Sequence, residues 1–233
     1  MNTKDMLIDS IKYSFSRKRT FLFLGILFWS LSYSSDIMVE HPILAIFLIP
    51  WIIFALLESG YLATIIETTI FGSNEYPKFK NPKALFLKGI EEIIIVFVYS
   101  FFSIIAFSLI FLDVILFGID FPTIILLIIF IISLFFSMIM VEGAIINCEY
   151  NNSKLKAAFE FKTIIRKMGV NRFLSSFCIV LLITLLVEPL VTDYSEELHP
   201  LLWTIIQFTV LPFLAVLSAR FLGLIGRYHF KID

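Results

Sequence analysis

Residues 58–82 read ESGYLATIIETTIFGSNEYPKFKNP. The first half is an apolar run that carries two carboxylates, Glu58 and Glu67, and the second half is a polar turn that begins at Gly72 and closes on Pro82. Apolar runs lie on both sides, and each approaches the roughly 20 residues that a helix needs to cross a bilayer. The stretch therefore predicts a membrane helix that leaves the membrane through a basic turn before the next membrane helix begins.

The composition is typical of a membrane protein. The chain has 233 residues, 59% of them hydrophobic, and a mean hydropathy of +0.95, whereas soluble domains are roughly 45–50% apolar. Backbone groups in lipid must be hydrogen-bonded within their own segment, and runs such as residues 124–132 lack the alternation of a barrel strand. We therefore predict an all-α polytopic membrane helix bundle, with residues 1–233 forming a single integral membrane domain.

Six apolar segments are predicted to span the membrane as three hairpins. Helical spacing of apolar residues also predicts cytoplasmic amphipathic helices at residues 5–16 and within residues 147–172, with an ordinary charged terminus as the alternative for the first. The serines near the end of the first span resemble a signal-peptide cleavage region, so cleavage there stays open as an alternative. The predicted spans are residues 20–35, 42–71, 89–112, 122–146, 173–191 and 200–226.

Lysine and arginine occur only in alternate connections. The N-terminal region holds five, the second connection four, the fourth connection six, and the end of the last span with its tail three, which together are all 18. The three other connections hold acidic residues and no lysine or arginine. Because positive residues remain on the cytoplasmic side, we predict a multi-pass protein of the plasma membrane with both termini in the cytoplasm.

Each even-numbered span is predicted to open with a proline, at Pro42, Pro122 and Pro200. Proline suits the first helical turn because its missing N–H would be unpaired there. Two of the prolines follow a histidine, His41 and His199. A threefold internal repeat explains the pattern, and repeat interfaces are binding sites in many transporters. The alternative is that any hairpin with a tight outer turn favours proline at this position.

Three ionisable residues within the predicted spans form the candidate site: Glu58, Glu142 and Arg220. Such residues are energetically unfavourable in a membrane and are therefore default functional candidates. Glu142 lies 20 residues after Pro122, and Arg220 lies 20 residues after Pro200, so the repeat places them at matching depth. We predict that Arg220 pairs with Glu142 or Glu58 in a polar cluster between helices 2, 4 and 6. The cluster serves structure or, alternatively, transport or ligand binding.

No catalytic or cofactor-binding motif accompanies these charges. The sequence has no nucleophile elbow and no phosphate-binding loop, so we predict that the protein is not an enzyme and has no cofactor. His41 and His199 are weak metal candidates, since zinc sites use three or four ligands. The basic connections predict contact with membrane lipids and not with nucleic acid, because no soluble domain is present to form a nucleic-acid groove.

Short motifs lie in and after the predicted second span, before the fifth span and within the sixth. They are GY at 60–61, G at 72, EYPKF at 75–79, LF at 85–86, G at 89, AAF at 157–159, PF at 212–213 and ARFLG at 219–223. From near Leu44 onward, these motifs resemble the domain-of-unknown-function 4013 family, small polytopic membrane proteins found mostly in archaea. The resemblance implies an integral membrane protein and implies no mechanism.

Two functions are consistent with these patterns. The first is a non-enzymatic scaffold or accessory membrane subunit with a membrane-protein partner, because short outer turns leave contacts only within the bilayer or on its basic inner face. The second is a small permease or lipid-handling transporter that uses Glu58, Glu142 and Arg220. A water-accessible cavity around those residues would favour the transporter, and a solid apolar interior would favour the scaffold.

Overall fold

The computed structural model describes residues 1–16, 21–31, 48–79, 81–119, 121–168 and 200–230. Within these ranges all regular secondary structure is helical. The predicted fifth span at residues 173–191 lies outside them. The helices are α1 Thr3–Ser14, α2 Phe21–Leu31, α3 Leu48–Ile70, α4 Pro82–Phe117, α5 Phe121–Tyr150, α6 Leu155–Ala158, α7 Phe161–Met168 and α8 Pro200–His229.

Four of the described helices are long and apolar enough to cross a membrane. They are α3, α4, α5 and the part of α8 from Thr204 to Tyr228, and they coincide with the predicted second, third, fourth and sixth spans. A shorter apolar helix, α2, lies within the predicted first span. The all-α class is thus confirmed, and these four helices are candidates for crossing a membrane.

Helices α4 and α5 form an antiparallel hairpin. Gly118 ends α4 with a φ of +79°, a conformation that favours glycine. Next to this turn the Thr123 hydroxyl donates to Asp113 at 2.7 Å. Farther along, the hydroxyls of Ser100 and Ser137 are hydrogen-bonded at 3.0 Å. These two polar contacts fix the register of two helices whose other facing side chains are mostly apolar.

The start of α4 differs from the prediction. The helix begins at Pro82 instead of residue 89, because the Asn81 carboxamide accepts the backbone N–H of Ala84 at 3.2 Å and Pro82 occupies the first turn. Hydropathy alone marks only the apolar part of this helix. Its 36 residues are about 54 Å long, which is more than the thickness of a hydrocarbon core of about 30 Å.

Most buried side chains lie toward one end of the bundle, which we call the packed end. There α3, α5 and α8 finish and α4 begins. The buried stretches run from Leu56 to Ile70 on α3 and from Met140 to Glu149 on α5. In contrast, Phe102 and Phe117 on the far part of α4 are 74% and 73% exposed. The far halves of α4 and α5 therefore present an apolar surface suited to lipid.

Glycines let the helices approach closely at the packed end. A Cβ atom on Gly60 of α3 would collide with the carbonyl of Leu85 on α4, and one on Gly89 of α4 would collide with the carbonyl of Leu56 on α3. On α8, a Cβ on Gly223 would lie 2.9 Å from the carbonyl oxygen of Ile66. Small residues of this kind allow backbones in membrane bundles to touch.

The N-terminal helix α1 packs on the bundle through an unexpected face. Its buried residues are Met6, Ser10, Tyr13 and Ser14. The predicted apolar stripe is instead largely exposed, as at Ile8, Ile11 and Phe15. The structure therefore gives α1 a polar and aromatic face toward the protein, and leaves its aliphatic face available to a membrane surface.

The helix predicted within residues 147–172 is interrupted at Phe159 and Glu160, which separate α6 from α7. Side chains of the long helices hold the interruption in place. Asn147 of α5 donates to the carbonyl of Ala157 at 2.7 Å, and the Tyr99 hydroxyl of α4 donates to the carbonyl of Ala158 at 2.7 Å. Both bonds tie the end of the short helix to the long helices, and the Ala157 carbonyl also accepts the backbone N–H of Glu160 at 3.2 Å.

Candidate functional site

Arg220 is the most fully bonded charge at the packed end. It lies on α8 with 2% of its surface exposed. Its Nε donates to Asp9 at 2.9 Å and its Nη2 donates to the Asn74 side chain at 2.8 Å. Its Nη1 donates to the carbonyl of Ser73 at 2.6 Å and to the Thr69 hydroxyl at 3.2 Å. One guanidinium therefore joins α8, α1, α3 and the turn after α3.

The turn after α3 has a backbone shape that suits this role. Gly72 adopts a φ of +91°. The N–H of Gly72 donates to the carbonyl of Thr69 at 3.0 Å, and the N–H of Ser73 donates to the carbonyl of Thr68 at 2.8 Å, which is the Schellman pattern of a helix end. This turn directs the Ser73 carbonyl toward Arg220. The rigid fork of arginine donors can then bind several acceptors at once.

One tyrosine covers the guanidinium, and a second tyrosine stacks on the first. The Arg220 Cζ atom lies 4.4 Å from the centre of the Tyr13 ring, and Tyr13 stacks on Tyr76 at 4.4 Å. The Tyr76 hydroxyl donates to the carbonyl of Ser14 at 2.9 Å. Burial, with the nearby Tyr13 and Tyr61 hydroxyls, raises the pKa of Tyr76 above its ordinary value, so the phenol stays neutral and able to donate. We call Asp9, Tyr13, Thr69, Ser73, Asn74, Tyr76 and Arg220 the Arg220 cluster.

A second group of charges joins α3, α4 and α5. Lys88 of α4 donates to Glu67 of α3 at 2.8 Å and to Glu149 of α5 at 2.7 Å. The Ser153 hydroxyl donates to the same Glu149 oxygen at 2.9 Å. Glu149 is nearly buried, with 5% of its side chain exposed. We call Glu67, Lys88, Glu149 and Ser153 the Lys88 network.

Further carboxylates lie beside the Lys88 network. The Ser59 hydroxyl of α3 donates to Glu92 of α4. Glu58 of α3 is within electrostatic reach of Glu92, and Glu91 is within reach of Lys88. Carboxylates therefore outnumber the single lysine in this part of the structure. A surplus of this kind can hold protons or counter a positive ligand.

The predicted pairing of Arg220 differs from the observed one. Among the described residues, its side chain binds Asp9 and the residues after α3, and neither Glu142 nor Glu58 is one of its partners. Glu142 is buried on α5, and Glu58 lies near Glu92. Matching depth gives the height of a residue along the bundle, but it does not determine which face of its helix the residue occupies.

Several members of the two sites were not predicted. The sequence does not indicate Asp9, because α1 is predicted to lie on the membrane surface. Lys88 and Glu149 were assigned to separate connections. One feature of the sequence points to the Arg220 cluster. An arginine in an apolar helix needs a carboxylate or another acceptor, and Asp9 and Asn74 are polar residues predicted on the same side of the membrane.

His41 and His199, the weak metal candidates, lie outside the described residues. Within the part of the chain that the structure describes, no group of three or more histidine, cysteine, aspartate or glutamate side chains is arranged to hold a metal ion.

An apolar groove of about 590 Å³ lies between the end of α1, α2 and α8. It is lined chiefly by aromatic and aliphatic side chains, and its lining includes none of the three predicted site residues. The groove therefore does not supply the polar cavity that a transporter of charged solutes would need around those residues. Its principal lining residues are Phe15, Phe21, Leu22, Phe208 and Phe213.

Comparison with known proteins gives one positive result. A search of curated proteins and a search of solved structures found no match. The family model described as "Protein of unknown function (DUF4013)" matches residues 43–192. That range is more than half of the chain. It contains the Lys88 network, whereas Asp9 and Arg220 lie outside it. The chain belongs to the DUF4013 family.

Proposed function

We propose that this DUF4013 protein is a non-enzymatic scaffold or accessory subunit of the plasma membrane. It crosses the membrane six times as three hairpins, with both termini and the packed end on the cytoplasmic side. The alternation of basic connections supports this orientation, and the α4–α5 hairpin supports the paired arrangement. Its proposed partners are membrane lipids and a membrane protein.

The observation that carries the proposal is the use of charges to fix helices together. Arg220 joins α8 to α1 and to the turn after α3. Lys88 joins α4 to α3 and α5. A solute pathway needs polar groups that exchange partners with the solute, whereas these groups are bonded to one another. Such bonding gives a fixed platform, which is what a scaffold requires.

The surface best suited to a protein partner is the flank of the α4–α5 hairpin. Its far half is covered by exposed aromatic and aliphatic side chains, and aromatic residues are enriched at protein interfaces. A helix of a partner could pack along this flank within the bilayer. Exposed side chains there include Phe102, Phe111, Leu116, Phe117 and Phe121.

A small permease or lipid-handling transporter is the second candidate. The observation in its favour is the surplus of carboxylates at Glu58 and Glu92, together with Glu142 buried on α5. Buried carboxylates in a membrane are commonly found in ion and proton pathways. This function requires that water reach those residues in at least one conformation.

Native mass spectrometry of the protein, extracted gently from its own membrane, tests the two functions. A stoichiometric protein partner supports the scaffold. A matched pair of variants then locates the contact: we expect F102A/F111A on the hairpin flank to lose the partner and I8A/I11A on α1 to retain it. A small molecule that is retained by the wild type and lost from E58Q or E142Q supports the transporter instead.

Cysteine labelling tests the orientation. In a C148S/C178S background, we expect I119C in the α4–α5 turn to react with a membrane-impermeant reagent added outside intact cells. K78C in the turn after α3 should react only after the membrane is opened. The reverse pattern would refute the assignment of the packed end to the cytoplasm.

A further inference from the structure

The segment formed by α6 and α7 presents two different surfaces side by side. Phe161 and Ile165 are four residues apart on α7 and are 42% and 45% exposed. Lys162 and Arg166 are also four residues apart and are exposed. Because successive residues of a helix are about 100° apart, the basic pair lies directly beside the apolar pair. This is the arrangement of a helix that lies in a membrane interface.

The third face of α7 is held by the protein. Ile164 is fully buried. The Lys167 ammonium lies over the rings of Tyr150 and Phe230, at 5.1 and 5.6 Å from their centres, and also donates to Asn147 at 3.4 Å. Burial lowers the pKa of Lys167. Lys167 is therefore an anchor to the bundle and not one of the free basic residues.

Aromatic contacts join the exposed apolar face of α7 to the apolar part of α5. The Phe161 ring lies 6.0 Å from the ring of Phe136, which is itself 49% exposed on the apolar part of α5. The Phe159 ring stacks on Tyr99 of α4 at 6.1 Å. The apolar face of α7 thus continues the lipid-facing surface of the long helices, and the basic face lies at its edge.

We propose that α6 and α7 form a binding surface for anionic phospholipids, in which Lys156, Lys162 and Arg166 bind headgroup phosphates while Phe161 and Ile165 contact the acyl chains. All three basic side chains are exposed. The surface is attached to the bundle by Lys167 and by the Tyr99 and Asn147 hydrogen bonds to the α6 carbonyls. The inference makes the lipid partner of the proposed function specific, and it applies equally to a scaffold and to a transporter.

Native mass spectrometry of the full-length protein in detergent, titrated with phosphatidylglycerol or with phosphatidylcholine of the same acyl chains, tests the surface. We expect the wild type to prefer phosphatidylglycerol. Each basic residue near an anionic surface contributes about a five-fold change in affinity, so K156Q/K162Q/R166Q should weaken phosphatidylglycerol binding by roughly a hundred-fold. Phosphatidylcholine binding should be nearly unchanged.

A control variant distinguishes the loss of this surface from a general loss of positive charge. K4Q/K78Q/K83Q removes the same number of exposed positive charges from other parts of the packed end and should keep the lipid preference. K162R/R166K should also keep it, which guards against a failure caused by misfolding. Equal loss in both triple variants, or no preference in the wild type, would overturn the inference.

The same titration distinguishes two other occupants. Inorganic phosphate in excess should not displace the bound lipid, because it cannot use the apolar face; displacement would indicate a site for free phosphate and overturn the lipid assignment. If K156Q/K162Q/R166Q instead released a co-purified protein and left the phosphatidylglycerol preference intact, the surface would be a protein interface. If F102A/F111A on the α4–α5 flank failed to release a protein partner, that result would count against the scaffold function and not against the lipid-binding surface.

Discussion

Replacement of Arg220 by leucine should destabilise the protein more than any other single change in the Arg220 cluster. The variant removes four hydrogen bonds. Asp9 is 38% exposed, so that ion pair contributes at most about 1 kcal/mol. Thr69 is buried and the Ser73 carbonyl is partly buried; leaving such acceptors without a donor costs about 1–3 kcal/mol each. The expected loss of unfolding free energy is about 4 kcal/mol.

Thermal unfolding in detergent measures this loss. At roughly 2–4 °C per kcal/mol for a chain of this size, Tm should fall by about 10 °C. Lysine keeps the charge but lacks the five-donor fork, so R220K should lose about half as much. D9N should lose about 1 kcal/mol or less. Hydrogen exchange of the α1 amides should rise in R220L, while exchange in α5 stays as in the wild type.

A different order of stability losses among R220L, R220K and D9N would contradict this account of the Arg220 cluster. An R220L protein that melts within about 2 °C of the wild type would mean that these bonds do not hold the packed end together. A D9N protein that loses as much as R220L would mean that the ion pair dominates. That outcome would contradict the assignment of most of the stabilisation to the buried acceptors.

Three further outcomes follow from the same structure. G89A should lower the unfolding free energy by about 1–3 kcal/mol through overpacking against α3. The loss is measured as a fall in Tm, and the Tm of the exposed control S108A should not change. A G89A protein with the wild-type Tm would contradict the close contact between the helices. Lys88→Met should lower the unfolding free energy by about 3–5 kcal/mol. In a double-mutant cycle, adding Glu149→Gln should recover part of this loss. Purely additive losses would show that the two residues are not coupled. Because burial raises the pKa of Tyr76 above its ordinary value near 10, the folded protein keeps a proton that the unfolded chain loses. The contribution of Tyr76 to stability should therefore be constant below pH about 10 and fall above it. In Tyr76→Phe that alkaline fall should be smaller, as followed by circular dichroism against pH.

The long helices were predictable because their apolar residues leave few alternatives in lipid. The predicted fourth span at residues 122–146 coincides closely with Phe121–Tyr150. The start of α4 was not predicted, because Lys83 and Lys88 lower hydropathy in a segment that is nevertheless capped and helical from Pro82. Hydropathy therefore predicts which part of a helix suits the hydrocarbon core, whereas the capping residues determine where the helix begins.

The candidate site was predictable only in part. That Arg220 needs acceptors at the packed end follows from the cost of burying a charge. Which acceptors it finds depends on the docking of α1 and on the turn at Gly72, and both are tertiary features. Glu58 and Glu142 illustrate this difference. The sequence predicts how far along its helix each residue lies, but it does not predict which side chains each residue contacts.

The Arg220 cluster also has a consequence for the order of assembly. Asp9 and Arg220 are 211 residues apart in the chain. At a synthesis rate of roughly 5–20 residues per second, about 10 to 40 s pass between the emergence of the two. During that interval Asp9 lacks the guanidinium of Arg220, its partner in the folded protein. The exposed Ile8, Ile11 and Phe15 of α1 can hold it on the lipid surface until α8 is inserted, so the docking of α1 is completed only after α8 has been made.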